Sequence, residues 1–163
     1  MNAPPLQQLL TEFAAARLAL LQRHEAGARV VAHYDFNNAY QYVIAREETH
    51  LVWLRDALVA LGLDSPAPGS TLPVPERAGD DNVNRLVLQD DARQLRAFVE
   101  HWQPVVATMP NARHQKVLAV ILGESLEHTR LFEQAASGVE DVLGRRTGGV
   151  PRTGGVLPTR WVE

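Results

Sequence analysis

Residues 63–80 read LDSPAPGSTLPVPERAGD, with four prolines and two glycines in 18 positions. Pro lacks a backbone N–H and Gly carries no conformational preference, so this stretch is an extended connection and neither helix nor strand. Fully stretched, it reaches roughly 60 Å. A helix of 26–28 residues is roughly 40 Å long, so the connection can run the whole length of such a helix and is not confined to one end.

Outward from it, the chain reads as two pairs of helices. On the N-terminal side, residues 36–61 repeat Tyr40, Val43, Ile44, Leu51, Leu54, Leu58 and Leu61 at helical spacing, with Gly62 as the closing glycine. Before it, residues 5–33 carry Leu6, Leu10, Phe13, Leu21, Ala28 and Val31 on one face. The break at His33–Asn38 offers Asp35 or Asn37 as an N-cap. On the C-terminal side, residues 81–109 place Leu88, Ala92, Leu95, Val99, Trp102, Val106 and Met109 on one stripe, and Pro104 should kink that helix. Pro110-Asn111 marks a tight turn with Asn111 as N-cap, and a fourth helix over 112–143 turns Val117, Leu118, Ile121, Leu131, Phe132 and Ala135 inward. Short turns make each pair an antiparallel hairpin, and the long connection joins them as a crossover. The expected fold is all-α, an antiparallel four-helix bundle over residues 1–143 with a crossover between helices 2 and 3. Residues 144–163 form a flexible Gly/Pro-rich tail that repeats Arg-Thr-Gly-Gly-Val.

Composition narrows the chemistry. There is no cysteine among the 163 residues. Disulfides, thiolate zinc sites, cysteine nucleophiles and cysteine-held iron–sulfur centres are therefore excluded, and a metal would need His, Asp or Glu. The net charge of −3 divides into −6 over residues 1–143 and +3 over the tail. That balance argues against nucleic acid as a partner and leaves the tail as a candidate contact for an acidic protein surface. No apolar run approaches the roughly 20 residues of a membrane span, and no secretory signal pattern opens the chain, so a cytoplasmic protein is expected. An apolar flank such as Trp53 on an acidic bundle is compatible with a homodimer.

Ionisable side chains interrupt the apolar stripes. Glu47 and His50 share a face of helix 2, Glu124 and His128 one of helix 4. Asp91 lies on the inner face of helix 3, and Arg17, His24 and Glu25 follow the inner side of helix 1. Burying a bare charge is costly, so each needs a partner. With the crossover, Glu25, Glu47, His50, Asp91, Glu124 and His128 fall within one slab on the order of 10 Å thick, at 1.5 Å per residue. Two readings of these residues stand side by side: a metal centre, or buried hydrogen-bonded pairs neutralised by Arg17.

Carboxylates from two helices and Glu/His pairs from two others resemble the ferritin-like superfamily, in particular its rubrerythrin-like and bacterioferritin-like members. The resemblance spans residues 5–143 and rests on REETHL (46–51) and the looser ESLEH (124–128). It implies a di-iron or iron/manganese centre that oxidises or handles Fe(II) with dioxygen or peroxide, an oxidoreductase chemistry. By the same resemblance Glu47 would bridge two metals, His50 and His128 would cap one each, and Asp91 and Glu124 would complete the set. Two departures stand out. Ser125 occupies the place of a Glu three before His128, and the helix 1 acid due about 30 residues before Glu47 is missing, with Glu25 the inward acid on that helix. The alternative is a metal-free ferritin-like module acting through its surface or its tail.

Overall fold

The computed structural model describes residues 5–70 and 80–144. It contains four helices: α1 (Leu6–Val30), α2 (Tyr34–Ala60), α3 (Asp81–Ala107) and α4 (Ala112–Ala136), with no strand among the described residues. The expected all-α four-helix bundle is what the chain forms.

Residue pairing fixes the topology. Arg23 meets Asp91 and Phe13 meets Trp102, so α1 and α3 run antiparallel. Arg46 meets Glu124 and Tyr42 meets His128, so α2 and α4 do as well. Within each hairpin the helices are antiparallel by connection, which leaves α2 and α3 parallel on one diagonal. The chain must therefore return along the bundle between them, and Gly69 passes α1 at Gln22. Residues 71–79 of that connection and residues 145–163 of the tail lie outside the described residues.

The core follows the stripes. Phe13, Tyr40, Val43, Leu58, Leu88, Leu95, Ile121 and Phe132 are all fully buried. Phe13 stacks its edges against Phe98 and Trp102 with ring centroids 5.2 and 5.1 Å away. At roughly 25 cal/mol per Å² such apolar burial is the main term holding the helices together.

Helix limits differ from the sequence reading at the end of α1, which stops at Val30 and not at residue 33, at the start of α2 and at the end of α4. Helix α2 begins at Tyr34 with His33 in the N-cap position and no side-chain cap, whereas Asp35 and Asn37 lie inside the helix. Asn37 is buried because its amide donates to the Ala28 carbonyl at 2.8 Å, tying α2 to the end of α1. Helix α3 runs through Pro104 to Ala107, close to the expected span of 81–109. Helix α4 stops at Ala136, well short of residue 143, because Gly138 takes φ +92° and accepts the left-handed turn that other residues resist. The caps at Asp80 and Asn111 are formed, accepting from Asn82 N at 2.8 Å and His114 N at 3.0 Å. After α2, Gly62 (φ +72°) closes the helix, with Leu63 N bonded to Leu58 O.

Candidate functional site

All four helices contribute to a centre built on one fully buried carboxylate. Glu47 of α2 receives Arg17 Nη2 from α1, and His24 Nδ1 approaches both of its oxygens at 2.8 and 2.9 Å. Arg17 is itself completely buried, as are Glu47, His24 and His50. Its second amino group, Nη1, donates to Ser125 Oγ of α4 at 3.0 Å, and the guanidinium lies 5.4 Å from the Phe98 ring centroid of α3. Burial pushes the Glu47 carboxyl up, but Arg17 and then His24 outweigh it and hold the group below the usual carboxylate range. Burial lowers the Arg17 guanidinium, against the opposing pull of Glu47 and Glu124. The centre of the bundle is thus an ion pair, charged on both sides.

Towards the α2–α4 seam, Glu124 is held by Arg46 through Nε at 3.0 Å and Nη2 at 2.8 Å, a bidentate clamp. The same carboxylate meets His50 Nε2 at 2.7 Å. The hydrogen bond from Arg46 is the largest influence, and it takes the Glu124 pKa down to about 2. An ionised carboxylate only accepts, so the His50 proton sits on Nε2 and Nδ1 is left as an acceptor. His128 packs 6.4 Å from His50, ring over ring, and 5.9 Å from Tyr42. Burial lowers His50, and it takes His128 to about 3, so both rings are neutral at pH 7. His24 Nε2, His50 Nδ1 and His128 Nδ1 have no hydrogen-bond partner among the described residues.

Asp91 belongs to a second cluster. Tyr40 Oη donates to it at 2.5 Å and Arg23 Nε at 2.8 Å, with Arg23 also paired to Asp90. Tyr40 precedes Glu47 by seven residues of α2, roughly 10 Å along the helix. Burial raises the Asp91 carboxyl despite its partners, and burial followed by Asp91 raises Tyr40 well above the ordinary phenol.

The six residues picked out by sequence therefore fall into different places. Glu47, His50, Glu124 and His128 are brought together; Asp91 is held separately by Tyr40 and Arg23. Glu25 is half-buried and joins none of these contacts, because α1 turns His24 and Gly27 inward instead. Among the described residues, no three His, Asp or Glu side chains are placed to hold one metal ion. Arg17, His24 and Ser125 complete the centre; Arg17 takes the neutralising part that the reading of buried hydrogen-bonded pairs gave it, whereas the sequence assigned no partner to His24 or Ser125. Arg17 falls four after Phe13 and four before Leu21 on a buried stripe, which was the available signal.

An iron pair, which the family resemblance implies, can be tested against this donor set. Both Glu47 oxygens are engaged by Arg17 and His24, and both Glu124 oxygens by Arg46 and His50. A divalent cation at Glu47 would stand beside a guanidinium of like charge in a medium that screens poorly. The residues as placed do not fit a di-iron centre.

The class that fold and centre define is an all-α four-helix bundle. It is similar in fold to the crystal structure of a conserved hypothetical protein, rv2844, from Mycobacterium tuberculosis, with a TM-score of 0.64 over 78% of this chain and 94% of that one. Identity to it is 13%, so the likeness is one of fold. No family model matches the chain. No curated protein matches it either.

Proposed function

We propose that this protein is a ferritin-like bundle without a metal centre, a structural or interaction module in which the Arg17 guanidinium supplies the positive charge that metal ions would supply. The observation that carries this reading is the fully buried Arg17 bonded to both Glu47 and Ser125. Those contacts join the two departures from the family pattern: Arg17 lies 30 residues before Glu47, where the acid of helix 1 is due, and Ser125 replaces the acid of helix 4. The two fit together, since Glu47 already balances the single buried cation and a second carboxylate at 125 would lie buried without counter-charge, whereas the neutral Ser125 hydroxyl accepts from Arg17. With the interior closed by ion pairs, the work falls to the surface, where α2 exposes Tyr42, Val52, Trp53 and Val59.

Iron handling at this centre is the second reading. It draws on the unpartnered ring nitrogens of His24 and His50, each on a ring whose other nitrogen faces a carboxylate, as metal-bound imidazoles commonly do. Elemental analysis of protein expressed in iron-supplemented medium separates the two. The metal-free reading expects iron and manganese far below one per chain. Stoichiometric metal that is lost in Glu47→Ala/His50→Ala would establish the second reading in its place.

A further inference from the structure

At the end of the bundle opposite the α3–α4 turn, the starts of α2 and α3 and the end of α4 leave a cleft of about 370 Å³. Its walls include His33, Phe36, Asp81, Asn84, Arg85 and Glu140. The α4 side is built from Ala135, Ala136 and Gly138, whose small side chains leave the space open.

Two buried acceptors at this cleft lack donors. Asn84 is 3% exposed and its Oδ1 has no hydrogen-bond partner among the described residues. His33 turns Nε2 towards Glu140 Oε1 at 3.6 Å, which favours the proton on that nitrogen and leaves Nδ1, also unpartnered, as an acceptor. Buried acceptors are nearly always paired in folded proteins, so two at one cleft call for a donor from outside the fold.

Charge selects the kind of donor. Among the described residues that line the cleft, the exposed Asp81 and Glu140 stand against one cation, Arg85, which is engaged by Asn82 Oδ1 at 2.6 Å. The α3 N-terminus, ordinarily attractive to anions, is capped by Asp80 and carries Asp81 in its first turn. An anion or an acceptor-only ligand would meet acceptors and carboxylates. We propose that this cleft binds a small organic cation bearing N–H donors, a guanidinium or primary ammonium, with Asn84 and His33 accepting and Glu140 and Asp81 supplying the counter-charge. Two sources offer that chemistry: a free small molecule, or an arginine of residues 145–163, which hold Arg145, Arg146, Arg152 and Arg160.

The test is an NMR titration of the full chain with agmatine, repeated on a full-length variant with those four arginines changed to Gln. The site predicts saturable shifts confined to amides of residues 33–36, 81–85 and 135–140, and an affinity about tenfold weaker in Glu140→Gln, whose exposed position spares the fold. Asn84→Leu should weaken binding at least as much. Tighter agmatine binding in the arginine-free variant identifies the chain's own arginine as occupant; equal binding identifies a free cation. Absence of saturation at about 10 mM in both proteins, or shifts that Glu140→Gln leaves unchanged, overturns the proposal.

Discussion

Arg17 brings a full charge into a core of Phe13, Leu20 and Leu21, and Glu47 is what makes that tolerable. Removing one member of a fully buried pair strands the other, which costs about 3–5 kcal/mol, whereas replacing both by apolar groups of similar size is often close to neutral. Arg17→Met should therefore destabilise by that amount, and Arg17→Met/Glu47→Leu should recover most of the loss. Urea denaturation of the four proteins of this cycle measures the coupling; additive effects would show that the pair is not the organising contact. Gly27 acts at the neighbouring cluster. A Cβ there would stand 2.7 Å from Asp91 Oδ2 and 2.8 Å from Tyr40 Cε1, both side chains buried. Gly27→Ala should thus cost about 1–3 kcal/mol by overpacking, although alanine is the better helix former. An increase in stability would contradict the tight Tyr40–Asp91 contact.

At the scale of the helices, local chemistry was legible where it was self-contained. The stripes of α3, the Asn111 cap and the Gly62 closure all depend on residues close in sequence, and all formed as read. Asn111→Ala should accordingly lower stability by about 1 kcal/mol, measurable as a shift in the denaturation midpoint. The limits that were missed depend on distant partners or on a single backbone angle. Asn37 offered itself as a cap but bonds the Ala28 carbonyl, and α4 ends where Gly138 adopts positive φ. The site was legible only in part for the same reason. Spacing could place Glu47, His50, Glu124 and His128 on inner faces and offer Arg17 as their neutralising charge, but not tell that Arg17 would also bond Ser125 while Arg46 took Glu124. Nor could it rotate α1 finely enough to choose His24 over Glu25, or bring Tyr40 and Arg23 to Asp91. Those outcomes depend on long side chains crossing between helices.

The whole molecule inherits its pH response from the centre. His128 and His50 are held neutral in the fold, so the unfolded chain takes up protons that the native state refuses. Stability falls as pH drops below the ordinary histidine range near 6.5, and for His128 the loss continues to about pH 3. Glu47 and Glu124 act in the same direction, since lowered carboxyls contribute stability that disappears as acid protonates them. Asp91, raised by burial, opposes them. Denaturation midpoints should fall steadily from pH 7 to pH 4.5. His128→Leu should flatten the pH 5–6 slope by about 1.4 kcal/mol per pH unit, the value for one proton; an unchanged slope would mean that His128 is not held neutral.

The α1–α2 hairpin sets Arg17 opposite Glu47 and the crossover brings Ser125 of α4 to the same guanidinium, and the central claim is that this guanidinium stands in place of metal. A ligand that binds only the folded state raises its melting temperature, so anaerobic thermal denaturation with and without Fe(II) tests the claim directly. The ion-paired centre predicts a Tm unchanged within about one degree at millimolar Fe(II). A saturable rise of several degrees, abolished by Glu47→Ala, would contradict it.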